Sequence, residues 1–89
     1  MDYFITAKEE VLREVAASIT AKITRYMIDN DIKIDHKNPM SILLDTVNDL
    51  SDSLIENSDY TMDELEKVSA KFSFARDYID EVIRKNERQ

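Results

Sequence analysis

An all-α fold, a compact antiparallel three-helix bundle, is predicted by three observations. Glycine is absent and proline occurs once, so the residues that supply positive φ and tight hairpin turns are missing and a β-rich fold is disfavoured. Apolar residues recur at helical spacing in three long segments. Only short polar interruptions divide those segments, and short connections force neighbouring helices to run antiparallel. The expected helices cover about 4–30, 39–57 and 62–86 of a single domain, 1–89. At 89 residues there is room for one core, and a chain this short buries only about 60% of its unfolded surface. A bundle that gains apolar burial by dimerising is therefore expected.

The first helix has two possible N-caps: Asp2, or Thr6 with Glu9 three residues on, the spacing of a capping box. At 100° per residue Phe4, Val11, Leu12, Val15, Ile19, Ile23 and Tyr26 share one side, which predicts the buried face. Ala17, Ala21 and Ile28 form a thinner stripe, read first as helix formers facing water and otherwise as the close approach of another helix. Residues 31–38 then read as a loop, because Ile32-Lys33-Ile34-Asp35 alternates for too few residues to hold a strand without a sheet. Its two isoleucines are expected to tuck under the bundle.

Asn38-Pro39 opens the second helix, asparagine being a favoured N-cap and proline being tolerated at the first helical position, where an N–H is not needed. Met40, Leu43, Leu44, Val47, Leu50, Leu54 and Ile55 share its apolar side, and Ile42 points away from it. Thr61 with Glu64 is a further capping box and starts the third helix. On that helix Leu65, Val68, Phe72, Ala75, Ile79, Val82 and Ile83 lie on one side, with Phe74 well outside the stripe and Tyr78 at its margin. The second helix is the shortest, so the ends of the outer two are natural places for self-association.

Charge is the feature that bears on function. Between Pro39 and Lys67 there are eight acidic residues and no Lys or Arg, while the remaining eleven acids meet all twelve bases. The net charge of −7 therefore belongs to one helix and the turn after it. Asp59, Asp63, Glu64 and Glu66 fall in that turn and at the start of the third helix, where negative charge favours the helix dipole. Asp45, Asp49, Asp52 and Glu56 have no such local cause. Spaced 4, 3 and 4 apart, they line up opposite the apolar side, and like charges at that spacing repel by a few tenths of a kcal/mol per pair. Such a stripe reads either as a solvated face or as a docking surface for a basic protein. Carboxylates repeating about every 5–6 Å also approximate the spacing of nucleic-acid phosphates, so a DNA-mimicking inhibitor is one concrete form.

With no cysteine, disulfides, thiolate catalysis and Cys-based metal sites are excluded. No segment approaches the about 20 apolar residues of a membrane span, and the amino terminus has no basic leader, so a cytoplasmic protein of a microbe or virus is expected. Direct nucleic-acid binding is not expected, because the overall field repels phosphate. His36 stands alone in a polar loop, with no second histidine to share a metal, and reads as solvent-exposed. Ser41, Ser51, Ser53, Ser69 and Ser73 are helical positions without a strained elbow, so none reads as a nucleophile.

Carboxylates at i and i+4 on a helix can hold Mg²⁺ through water. Asp45-Thr46-Val47-Asn48-Asp49 and Glu66-Lys67-Val68-Ser69 loosely resemble the Glu-Glu-x-x-Glu and Glu-x-x-Asp stretches of helical nucleotide pyrophosphohydrolases of the MazG type. Thr46 and Ser69 depart from that pattern and remove two metal ligands. Phe74 and Tyr78 form an i, i+4 aromatic pair, assigned to self-association or partner contact and otherwise to packing within the chain. The reading is a non-enzymatic interaction protein without metal or cofactor, an inhibitor or regulator from a phage or mobile element. It would be dimeric, with Asp45, Asp49, Asp52 and Glu56 docking on a basic partner. A homo-oligomeric assembly subunit is the alternative, and a degenerate MazG-like enzyme comes third.

Overall fold

The computed structural model describes residues 3–56 and 59–87. Among them are three helices and no strand: α1 (Tyr3–Asp29), α2 (Pro39–Glu56) and α3 (Met62–Glu87). The helix limits agree with the expected ones to within a residue. Helix α1 is the spine, since α2 and α3 each pack along it and touch one another little. Lys22 reaches Asp80 at 2.9 Å and Asn86 reaches Asn30 at 3.1 Å, so α1 and α3 run in the same direction and α2 returns against them. The bundle measures 49 × 24 × 16 Å with a radius of gyration of 14.3 Å. A spherical domain of this length would have about 12 Å, and the difference reflects helices of 27 and 26 residues lying side by side.

The core is one cluster: Leu12, Ala16, Ile19, Ile23 and Met27 from α1, Met40, Val47 and Leu54 from α2, and Leu65, Val68, Phe72, Ala75 and Ile79 from α3. Burying each large member stabilises by about 1.5–3 kcal/mol. Three residues expected in this core lie outside it, Phe4, Val11 and Ile55, all exposed. Their sequence neighbours Ile5, Leu12 and Leu54 do pack in or against the core, so the bundle covers those levels; at 100° per residue the three exposed side chains fall at the edges of the buried stripes rather than at their centres. Ala17, Ala21 and Ile28 face water. In the loop Ile32 packs against the core, whereas Ile34 is exposed and does not tuck under.

Every described turn is closed by side-chain or backbone capping, with no glycine to help. Beyond α1 the Ile32 N–H donates to the Met27 carbonyl at 2.8 Å and the Asp31 N–H to that of Ile28 at 3.2 Å, the paired bonds of a Schellman motif. The motif requires a left-handed residue, and Asp31 takes it at φ 54°. Aspartate does so at less cost than most side chains. The Asn38 side chain accepts from the Met40 N–H at 2.9 Å, as an N-cap should. Buried Ser41 accepts from the Asp35 N–H at 3.1 Å, tying the loop to the first turn of α2. At α3, Thr61 Oγ1 accepts from the Glu64 N–H at 3.2 Å while the Glu64 carboxylate accepts from the Thr61 N–H at 3.3 Å, which completes the expected capping box. The Thr6–Glu9 box does not form, because α1 is already helical at Tyr3. Glu9 is instead buried and meets Arg13 at 3.6 Å. Asp2 and Asn57 lie outside the described residues.

Candidate functional site

Helix α2 is held in place at three levels. Its first turn is tied to the loop by Ser41, its middle meets α1 where Thr20 donates to Asn48 at 3.4 Å, and near its end Ser53 hydrogen-bonds the Tyr60 hydroxyl. Met40, Val47 and Leu54, seven residues apart, are its buried contacts. With that face inward, Asp45, Asp49, Asp52 and Glu56 all come to the outside and are exposed. Asp49, Asp52 and Glu56 border one open depression of about 440 Å³ together with Ser53, and Asp45 stands one turn earlier.

Several other acids have a basic neighbour. Asp29 has Arg25 at 3.9 Å, Asp63 has Lys67 at 3.6 Å, Asp77 has Arg76 at 4.0 Å and Asp80 has Lys22 at 2.9 Å. Glu81 is flanked by both Arg84 and Lys85. Among the described residues, none of the four α2 carboxylates has an ion-pair partner. Their mutual repulsion is thus left uncompensated, which is unfavourable for the free chain and favourable once a basic surface arrives.

The second feature is an apolar groove of about 450 Å³ where α2 and α3 diverge. Ile42 and Thr46 form one wall, Phe74 and Tyr78 the other, with Leu43 and Ala75 between them and Lys71 beside the aromatics. Phe74 is 71% exposed and Ile42 50%. The structure therefore brings the expected aromatic pair together with residues that sequence reasoning did not assign to a site, Ile42, Thr46 and Lys71. The signal for them was present: Ile42 falls off the apolar stripe of α2 at one turn's spacing from Thr46, just as Phe74 falls off that of α3 at one turn's spacing from Tyr78.

At the far end of α1, Tyr3 and Phe4 are both exposed and stack edge to face, with centroids 6.0 Å apart at 77°. A cleft of about 410 Å³ between the C-terminal parts of α1 and α3 is lined by Lys22, Arg25, Tyr26, Asn30 and Asn86 among others. Lys22 pairs there with Asp80 of α3, Arg25 with Asp29, and Asn86 donates to Asn30.

Asp45, Asp49 and Glu66 are not brought together as a metal site: among the described residues no group of three or more His, Asp or Glu side chains could hold a metal ion. His36 is exposed, 4.0 Å from Asp35. No helix among the described residues is long and apolar enough to cross a membrane.

Neither a curated protein nor a solved structure matches the chain. A family of known character does match, over residues 1–82, a span that includes all of α1 and α2 and most of α3. The chain, a small three-helix bundle, belongs to the bacterial epsilon antitoxin family.

Proposed function

We propose that this chain is an antitoxin that neutralises a bacterial toxin protein by binding it, and that α2 presents its carboxylates to a basic surface of that toxin. The observation that carries the reading is the contrast in pairing. Asp63, Asp77, Asp80 and Glu81 on α3 are matched by Lys or Arg, while Asp45, Asp49, Asp52 and Glu56 on α2 are not. Membership of an antitoxin family supplies the partner that such a surface needs. Electrostatic matching of this kind raises the association rate and selects the partner more than it adds affinity, and salt weakens it. Apolar anchors supply the rest, and Tyr3 and Phe4, exposed together at the start of α1, have the aromatic character such anchors take. The about 5–6 Å repeat of the carboxylates fits a toxin surface of the kind that binds phosphate groups.

The reading needs no catalysis by this chain, and it places the protein in the cytoplasm of a bacterium, or under a bacterial mobile element, wherever its toxin acts. Self-association is its second element, favoured by the exposure of Phe74 and Tyr78 in one groove. The test is retention of toxin by the immobilised chain from lysate of the source bacterium at low salt and again at high salt. Wild type retains a basic protein that high salt releases, and Asp49→Lys with Asp52→Lys retains little. Undiminished retention by that double variant would exclude the acidic face as the dock.

A further inference from the structure

We propose that Glu9 is a positioning residue for the acidic face of α2: its buried carboxylate keeps the Arg13 guanidinium on α1 and so leaves Asp52 and Glu56 open to a basic partner. Among the described residues Glu9 is the one charged side chain in the interior, 8% exposed, and the local structure gives no reason for it. It caps no helix, and Arg13, at 3.6 Å, stands beyond hydrogen-bonding distance. Ser41, the other buried polar residue, does have such a reason, because its hydroxyl ties the Asp35 N–H to α2. Taking a carboxylate out of water is unfavourable unless a partner offsets it, so the role of Glu9 is to be sought in Arg13.

Helix phase places this pair beside the acidic stripe. Thr20 meets Asn48 at 3.4 Å, which identifies the side that α1 turns to α2. At 100° per residue Glu9 and Arg13 both lie within about 20° of Thr20, whereas the other bases of α1, Lys8, Lys22 and Arg25, lie about 120° or more away. Because α2 runs against α1, the level of Arg13, two turns before Thr20, is that of Ile55, two turns after Asn48. Asp52 and Glu56 flank that level. Arg13 is thus the base of α1 placed to neutralise the stripe, yet among the described residues its ion pair is with Glu9.

Two features keep the guanidinium there. An acid four residues before a base is the more favourable order of a helical ion pair, and helical side chains lean toward the N-terminus of their own helix, which turns Arg13 toward Glu9. A guanidinium that crossed to α2 would give Asp52 or Glu56 the kind of pair that the α3 acids have. The stripe would then lose the open charge on which the proposed docking rests. The inference draws on the antitoxin reading only for this consequence, since the pairing of Arg13 is a property of the pure chain.

Carboxyl carbon NMR shifts of Asp52 and Glu56 in the purified full chain test the pairing, with circular dichroism to show that each variant is folded. Glu9→Gln releases Arg13, and the resonance of Asp52, of Glu56 or of both should move. Glu9→Gln combined with Arg13→Gln should return them to their wild-type positions. The same two variants are then titrated with the basic protein that immobilised wild type retains. Glu9→Gln should bind it up to about fivefold more weakly, the size of one exposed ion pair, and adding Arg13→Gln should restore the affinity. A carboxylate that served the fold alone would give no such rescue. Carboxyl resonances that stay in place in Glu9→Gln, or that remain displaced when Arg13 is also replaced, would overturn the proposal. Resonances that move as expected while binding is unchanged would uphold the placement of Arg13 and overturn the acidic face as the dock.

Discussion

The outer faces of α2 and α3 are both exposed, helical and rich in charge, yet they are organised on opposite principles. On α3 acids and bases alternate at i, i+1, i+3 or i+4, as in Asp63 with Lys67, Arg76 with Asp77 and Glu81 with Lys85, and Asp80 reaches across to Lys22 of α1. Much of the charge on that face is balanced within the free chain, although among the described residues Glu66 and Lys71 enter no ion pair. On α2 four acids follow one another without a base, and the structure offers them none. A helix that needs only solubility can be built like α3. The α2 pattern is the observation on which the proposed docking to a basic partner rests.

The largest effect that sharpens this contrast is on the inner side of the same helix. Phe72, 1% exposed, anchors α3 to the spine. Phe72→Ala should lower stability by about 3–5 kcal/mol, measured by urea unfolding, and a loss under 1 kcal/mol would mean that α3 is not held as described. Next is the turn that delivers the chain to α2. Asp31 occupies a left-handed conformation that glycine adopts without cost, so Asp31→Gly should stabilise by about 0.5–1 kcal/mol and raise Tm by several degrees. Smallest, and closest to the comparison itself, are two reversals of opposite sign. Asp80→Lys breaks the pair with Lys22 and should lose up to about 1 kcal/mol, less at high salt. Asp49→Lys relieves repulsion with Asp45 and Asp52 and should gain a few tenths of a kcal/mol. If both reversals destabilise equally, the acids of α2 are serving the fold after all.

Much of the architecture is legible in the residues because it rests on local rules. Helical periodicity locates α1, α2 and α3; Asn38 with Pro39 and Thr61 with Glu64 mark two helix starts through bonds that span three residues or fewer. The failures share a cause. Phe4, Val11 and Ile55 fall on the apolar side but at its edge, since Ile5, Leu12 and Leu54 next to them are the residues that pack inward, and an apolar stripe does not by itself show where its buried centre lies. Thr6 and Glu9 have the right spacing for a cap, but the helix begins earlier, and Glu9 becomes buried beside Arg13. The Schellman turn escaped notice because its left-handed residue is aspartate where glycine is the usual signal.

For the candidate site the division is similar. The sequence by itself determined that Asp45, Asp49, Asp52 and Glu56 share one side of a helix, since 4, 3 and 4 spacing on a 3.6-residue turn admits no other arrangement. It also set Phe74 and Tyr78 apart from their own apolar stripe. Only the tertiary structure decided that no base on α1 or α3 reaches the α2 acids, that Phe74 and Tyr78 face Ile42 and Thr46 across a groove, and that Lys71 is left unpaired beside them. Those facts depend on where whole helices stand relative to one another. Helix placement is set by the packing of some thirteen buried side chains at once, and no single stretch of the chain carries that information.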